Sequence, residues 1–202
     1  MKIVIASDNE GKLKEIAQLC HGLPIQFVPQ SEYNLPPVAE TGLSFIENAI
    51  IKARHASKHT ELPSIADDSG LCADALGGAP GIFSARYAGS TANASSNMTK
   101  LLAAITNIKG EDRSARFHCA IAFVRHSQDP IPVICQAQWE GRILEAPLGQ
   151  DGFGYDPIFW ISSLNCTAAE LTPIQKNQIS HRAKALNELL ARLKIMYPPQ
   201  PV

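Results

Sequence analysis

The stretch Ser64-Ile65-Ala66-Asp67-Asp68-Ser69-Gly70-Leu71 constrains this chain more than any other. A short apolar run leads directly into two adjacent carboxylates, a hydroxyl and a glycine, which is the pattern of a buried strand that ends at a site. Consecutive strand residues point to opposite faces. Asp67 and Asp68 therefore cannot share one pocket unless the strand breaks there, and Gly70 is expected to mark the break. On this reading one carboxylate acts and the other braces a turn. Taken alone, the same residues also describe an Asp-rich turn with two solvated acids.

What precedes and follows this stretch has the periodicities of an α/β protein. Residues 2–6 form a continuous β-branched apolar run, expected as a buried strand. It passes into Ser7-Asp8-Asn9-Glu10-Gly11-Lys12, after which Leu13, Ile16, Ala17 and Cys20 recur at helical spacing. A strand, a polar loop and a helix start aim backbone N–H groups at one spot, which suits an anion. Ser7 and Asn9 can donate to phosphate oxygens and Lys12 can add charge. Equally, Asp8 or Asn9 can cap the helix while Lys12 is solvated. The loop does not have the GxxxxGK[ST] spacing of a P-loop.

A second strand is expected over residues 24–29 and a long helix over residues 43–59, whose apolar stripe is Phe45, Ile46, Ala49, Ile50, Ala53 and Ala56. Glu47, Asn48, Lys52 and Arg54 fall off or beside that stripe. A glycine- and proline-rich loop covers residues 77–87, and a further helix is expected over residues 93–106. Residues 116–125 and 131–139 alternate as strands, and their link over residues 126–130 is short enough for a hairpin. The sheet is thus expected to be mixed. In Asp151-Gly152-Phe153-Gly154-Tyr155-Asp156-Pro157, two glycines free the backbone and two rings offer flat faces for a nucleobase, or pack as an ordinary turn. Residues 172–196 are helix-rich, Thr172-Pro173 reads as an N-cap with a first-turn proline, and Ser180-His181-Arg182 precede the last apolar stripe.

Composition narrows the class. Hydrophobic residues make up 45% and charged residues 18% of the 202 positions, which suits one globular domain, residues 1–202, built as two lobes. Lys+Arg number 18 against 19 Asp+Glu, so there is no electrostatic footprint for a nucleic-acid polymer or an anionic membrane. The five cysteines, Cys20, Cys72, Cys119, Cys135 and Cys166, lie at neither CxxC nor zinc spacing, and Cys119 and Cys135 sit in apolar runs as small core residues. The apolar N-terminal segment is too short for a secretory leader and no stretch has membrane-spanning length, so a reducing, cytoplasmic location is expected. The tail, residues 197–202, holds three prolines and is expected to fray.

Together these segments resemble the inosine triphosphate pyrophosphatase family. The matches are Ser7-x-Asn9-x-x-Lys12, Glu40-Thr41-Gly42, Phe45-x-Glu47-Asn48-Ala49-x-x-Lys52-Ala53, Asp67-Asp68-Ser69-Gly70, Gly78-Ala79-Pro80-Gly81-x-x-Ser84-Ala85-Arg86, Phe153-Gly154-Tyr155-Asp156-Pro157 and Ser180-His181-Arg182. They occur in the family's order and span residues 7–182. The resemblance implies an elongated two-lobed α/β fold with a central mixed sheet, flanking helices, an active-site cleft between the lobes, and a homodimer. It implies Mg²⁺-dependent hydrolysis of non-standard purine nucleoside triphosphates (ITP, dITP, XTP) to monophosphate and pyrophosphate. It places the triphosphate at Ser7, Asn9, Lys12, Lys52 and Ser69, and Mg²⁺ at Glu40 and Asp68, with Asp68 as general base. The base and ribose fall to Phe153, Gly154, Tyr155, Asp156, Lys176, His181 and Arg182. Asp8 departs from the family's uncharged residue and is expected to point away from the phosphates or to cap the first helix. Two other readings remain at this point: a phosphatase with Asp67 or Asp68 as covalent nucleophile, and a nucleotide-binding module without turnover.

Overall fold

The computed structural model describes residues 1–7, 9, 11–13, 16 and 25–198, with the backbone alone at residue 111. The expectations for Asp8, for Ala17 and Cys20 of the first helical stripe, for the start of the second strand at residue 24, and for residues 199–202 of the tail lie outside the described residues.

The described strands are β1 (Lys2–Ile5), β2 (Gln26–Pro29), β3 (Ser64–Ala73), β4 (Ser114–Val124), β5 (Val133–Ile143), β6 (Phe159–Ile161) and β7 (Cys166–Thr167). They form one sheet in the order β2-β1-β3-β4-β5-β6-β7. β1 runs parallel to β2, pairing Lys2 with Gln26, and parallel to β3, pairing Ile5 with Ile65. β5–β6 and β6–β7 are antiparallel. The sheet is mixed, as expected. The helices described in full are α1 (Phe45–Thr60), α2 (Ala94–Ala104), α3 (Pro173–Ile179) and α4 (His181–Met196). None of the described helices is long and apolar enough to cross a membrane.

One expectation fails at the motif itself. β3 does not break at Gly70 but continues to Ala73. Leu71 explains the continuation, because its side chain is fully buried and its N–H donates to Ser84 Oγ at 2.9 Å. Burial of Gly70 and Leu71 keeps the strand extended where local chemistry alone would allow a turn.

The chain divides into two compact units. The first comprises Met1–Asp68, Cys119–Ala137 and Arg182–Val202. Here strand alternation sorts side chains between two helices. Ile3, Ile5 and Ile65 join Phe123 and Leu186, Leu189 and Leu193 of α4 in one cluster. Val4, Ala6 and Ala66 join Ala49, Ala53 and Ala56 of α1 in another. The α1 stripe is therefore carried by alanines, which let the helix lie close to the sheet. Cys119 and Cys135 are core residues, as expected, and Tyr197 packs against this core. The turn after β4 is held by Asp129, whose carboxylate accepts from the backbone N–H groups of Arg125 and Ile131 at 3.0 Å.

The second unit comprises Ser69–His118 and Gln138–His181. Its core gathers Leu71, Leu101, Ile105, Phe117, Trp139, Ile158 and Phe159. Among the described residues Cys72, Cys119, Cys135 and Cys166 are unbridged.

Candidate active site

Alternation along β3 answers the question that the two aspartates posed. Asp67 continues the face of Ile65 toward α4, and Asp68 continues the face of Ala66 toward α1. Each meets a different set of cations without any break in the strand.

On the α1 side, Ser44 caps the helix by accepting from Glu47 N at 3.2 Å, while Glu47 accepts from Leu43 N at 2.8 Å and Ser44 Oγ at 2.9 Å. That start fixes the helical phase, and Asn48 and Lys52, four residues apart, share the face turned to β3. Lys52 Nζ lies 2.8 Å from Glu40 Oε1 and 3.1 Å from Asp68 Oδ1. Asn48 Nδ2 donates to Asp68 Oδ2 at 3.3 Å. Burial is the largest influence on the Asp68 carboxyl and raises its pKa; Lys52 works against the rise and Glu40 adds to it. Burial disfavours the Lys52 ammonium, but Asp68, Asp67 and Glu40 outweigh it and hold its pKa above the ordinary lysine value.

On the α4 side, Lys12 Nζ lies 2.8 Å and Arg182 Nε 3.3 Å from the same atom, Asp67 Oδ2. The Asp67 and Arg182 side chains are almost wholly buried. Burial alone would raise the Asp67 carboxyl, but Lys12 and Arg182 together hold it far below the usual carboxylate range. Asp67 braces two cations, not a turn. In the first loop Asn9 Oδ1 accepts from Lys12 N at 3.1 Å, which is a helix cap, and Asn9 N donates to Ser7 Oγ at 3.3 Å. The phosphate-binding set of the sequence reading thus divides: Lys12 and Lys52 stand beside the carboxylates of the first unit, and Ser69 follows Asp68 in β3 as the opening residue of the second.

Within the second unit, Asp156 organises the glycine-rich loop. Its Oδ2 accepts from Phe153 N and from Lys176 Nζ, both at 2.7 Å. The Lys176 ammonium also lies 4.3 Å from the centre of the half-exposed Phe153 ring. Gly152 has φ +79°, and a Cβ there would come within 2.3 Å of Asp156 Oδ2, so this turn admits only glycine. Gly154, at φ +65°, completes the bend. Tyr155 is buried and its hydroxyl donates to Ser84 O at 2.8 Å, which anchors the loop; burial pushes its phenol well above the ordinary value. The His181 ring stacks on Phe117 at 4.8 Å between centres and 8° between planes.

Two relationships escaped the sequence reading. Asn48 is fully buried although it lies beside the apolar stripe, and its i,i+4 spacing to Lys52 was the available signal. Arg182 pairs with Asp67 across 115 positions, for which no local signal exists.

These features define a class: an α/β protein whose third strand carries two adjacent acids, each facing a lysine, and whose second unit carries an aromatic, glycine-rich loop. The Ham1 family model matches residues 3–192, and the chain belongs to that family. The chain is 55% identical over 193 residues to the dITP/XTP pyrophosphatase of Vibrio cholerae serotype O1, covering 96% of each. It is 52% identical over 189 residues to the dITP/XTP pyrophosphatase of Coxiella burnetii, covering 94% of each. Its fold matches a solved HAM1 protein from Coxiella burnetii with a TM-score of 0.91 at 51% identity, covering 96% of this chain and 99% of that one. A Ham1 protein from Staphylococcus aureus matches with a TM-score of 0.87 at 41% identity, covering 97% and 100%.

Proposed function

We propose that this chain is a nucleoside triphosphate pyrophosphatase that hydrolyses dITP, XTP and ITP to the monophosphate and pyrophosphate, clearing non-standard purines from the nucleotide pool. Full-length relatives named dITP/XTP pyrophosphatase support the substrate class. The observation that carries the chemistry is the convergence of Glu40 and Asp68 on one ammonium, that of Lys52, within 3.1 Å.

That donor set fits a divalent cation. Two carboxylates from separate segments both reach the Lys52 ammonium, and hard cations such as Mg²⁺ take one or two carboxylates with phosphates and water. Glu40 and Asp68 would hold Mg²⁺, which when bound offsets phosphate charge and favours attack by water at the α-phosphorus. Asp68 accepts the proton of that water. Lys12 and Lys52 offset charge on the departing pyrophosphate, the main device in phosphoryl transfer. Ser7, Asn9 and Ser69 complete the phosphate contacts.

The purine falls to Phe153, whose ring offers a stacking face, with Gly154, Asp156 and Lys176 around it and Tyr155 fixing the loop. His181 and Arg182 read the oxygen at C6 of hypoxanthine or xanthine. Adenine carries an amine there, and each unpaired buried donor costs roughly 1–3 kcal/mol, so two mismatches reach about a hundredfold discrimination. The proposal extends to a homodimer in a reducing, cytoplasmic setting, which suits the unbridged cysteines.

A panel of nucleoside triphosphates with Mg²⁺, resolved by chromatography, tests the reaction. dITP is expected to yield dIMP and pyrophosphate. dIDP with orthophosphate as the first products, or nucleotide binding with no turnover, overturns it.

A further inference from the structure

Asn48 is fully buried on α1, one turn before Lys52, and both ends of its amide are engaged. Gly42 N donates to Asn48 Oδ1 at 2.8 Å. A backbone N–H can only donate, so this bond fixes the oxygen end toward Gly42 and the Nδ2 end toward β3. There Nδ2 donates to Asp68 Oδ2 at 3.3 Å, while Asp68 Oδ1 faces Lys52 Nζ at 3.1 Å. A flipped amide would oppose donor to donor and oxygen to carboxylate. One side chain therefore touches both segments that carry the paired acids: the turn two residues beyond Glu40, and Asp68 itself. The approach requires glycine, because a Cβ at Gly42 would lie 2.5 Å from Glu47 Cβ and 2.8 Å from Asn48 Oδ1.

We infer that Asn48 is a positioning residue for the divalent-cation site, its amide fixing the rotation of the Asp68 carboxylate and the setting of the Glu40 turn against it. The inference rests on Glu40 and Asp68 being the cation's ligands. Glu40 is partly exposed on a loop, and the Lys52 stem that reaches both carboxylates is flexible. Groups that orient metal ligands typically set affinity by about 10–100-fold when lost.

Mn²⁺ binding, read from the electron paramagnetic resonance signal of free Mn²⁺, tests this on protein loaded with an α,β-imido analogue of dITP. Asn48→Leu removes both hydrogen bonds at similar volume. It is expected to weaken Mn²⁺ binding by about tenfold or more, with affinity for the analogue in EDTA changed less than about twofold. A purely structural role would lower the urea midpoint and leave Mn²⁺ affinity at the wild-type value, which overturns the inference. Gly42→Ala retains Asn48 but displaces its partner, and is expected to show the same loss; normal Mn²⁺ affinity in that variant also overturns it. Asp68→Asn separates the two levels. If it binds Mn²⁺ normally, the ligand assignment falls and this inference with it. If it loses Mn²⁺ while Asn48→Leu does not, the inference alone falls.

Discussion

Lys12 Nζ lies 2.8 Å from Asp67 Oδ2, and the same oxygen is 3.3 Å from Arg182 Nε. A lysine of the first loop and an arginine of the last helix thus share one buried carboxylate. The arrangement links a residue assigned to the phosphates with one assigned to the base.

Asp67→Asn is therefore expected to destabilise the fold by about 3 kcal/mol, because it removes the buried charge that Lys12 and Arg182 share. Urea unfolding measures this as a lower midpoint at unchanged slope. A midpoint equal to the wild type contradicts the pairing.

Arg182→Ala is expected to lower the preference for dITP over dATP by about tenfold, the effect of one lost polar discrimination. The measurement is the ratio of kcat/KM for the two substrates in the folded variant. An unchanged ratio moves base recognition elsewhere.

Phe153→Ala removes the half-exposed ring beneath the Lys176 ammonium. Stacking of a base on an aromatic ring is worth roughly 1–3 kcal/mol, so KM for dITP is expected to rise about tenfold with kcat little changed. A fall in kcat at constant KM would place the ring in the chemistry and not in binding.

Asp129 predicts a pH dependence of stability. Hydrogen bonds from Arg125 outweigh burial and hold its carboxyl well below the usual range. A carboxyl with a depressed folded-state pKa contributes stability that is fully present above its unfolded value, near about 4, and is lost as pH falls through the folded value. Asp129→Asn is thus expected to be less stable than the wild type at pH 7, with the gap narrowing as pH drops below about 4. Urea midpoints of both proteins across pH check this. A gap that widens in acid contradicts it.

Much of this was legible in local pattern. Thr172 caps α3 with Pro173 in its first turn, because capping chemistry acts over a few residues. The continuous apolar run over residues 2–6 marks the buried strand β1, Lys2–Ile5. What local pattern could not supply were outcomes decided by distant partners. Gly70 sits mid-strand because Leu71 is buried and bonded to Ser84. Asn48 is buried because Gly42 and Asp68 satisfy both ends of its amide. Asp67 takes its role from Arg182. Each of the three depends on groups brought together only by the tertiary fold.

Asp68, set between Asn48 and Lys52, is the residue proposed to carry the hydrolysis. The most direct test is kcat of Asp68→Asn on dITP with Mg²⁺, in protein whose circular dichroism and urea midpoint show it folded. Loss of a general base and a charged ligand together predicts a fall of about a thousandfold or more. A folded Asp68→Asn protein turning over at a rate near that of the wild type would contradict the account.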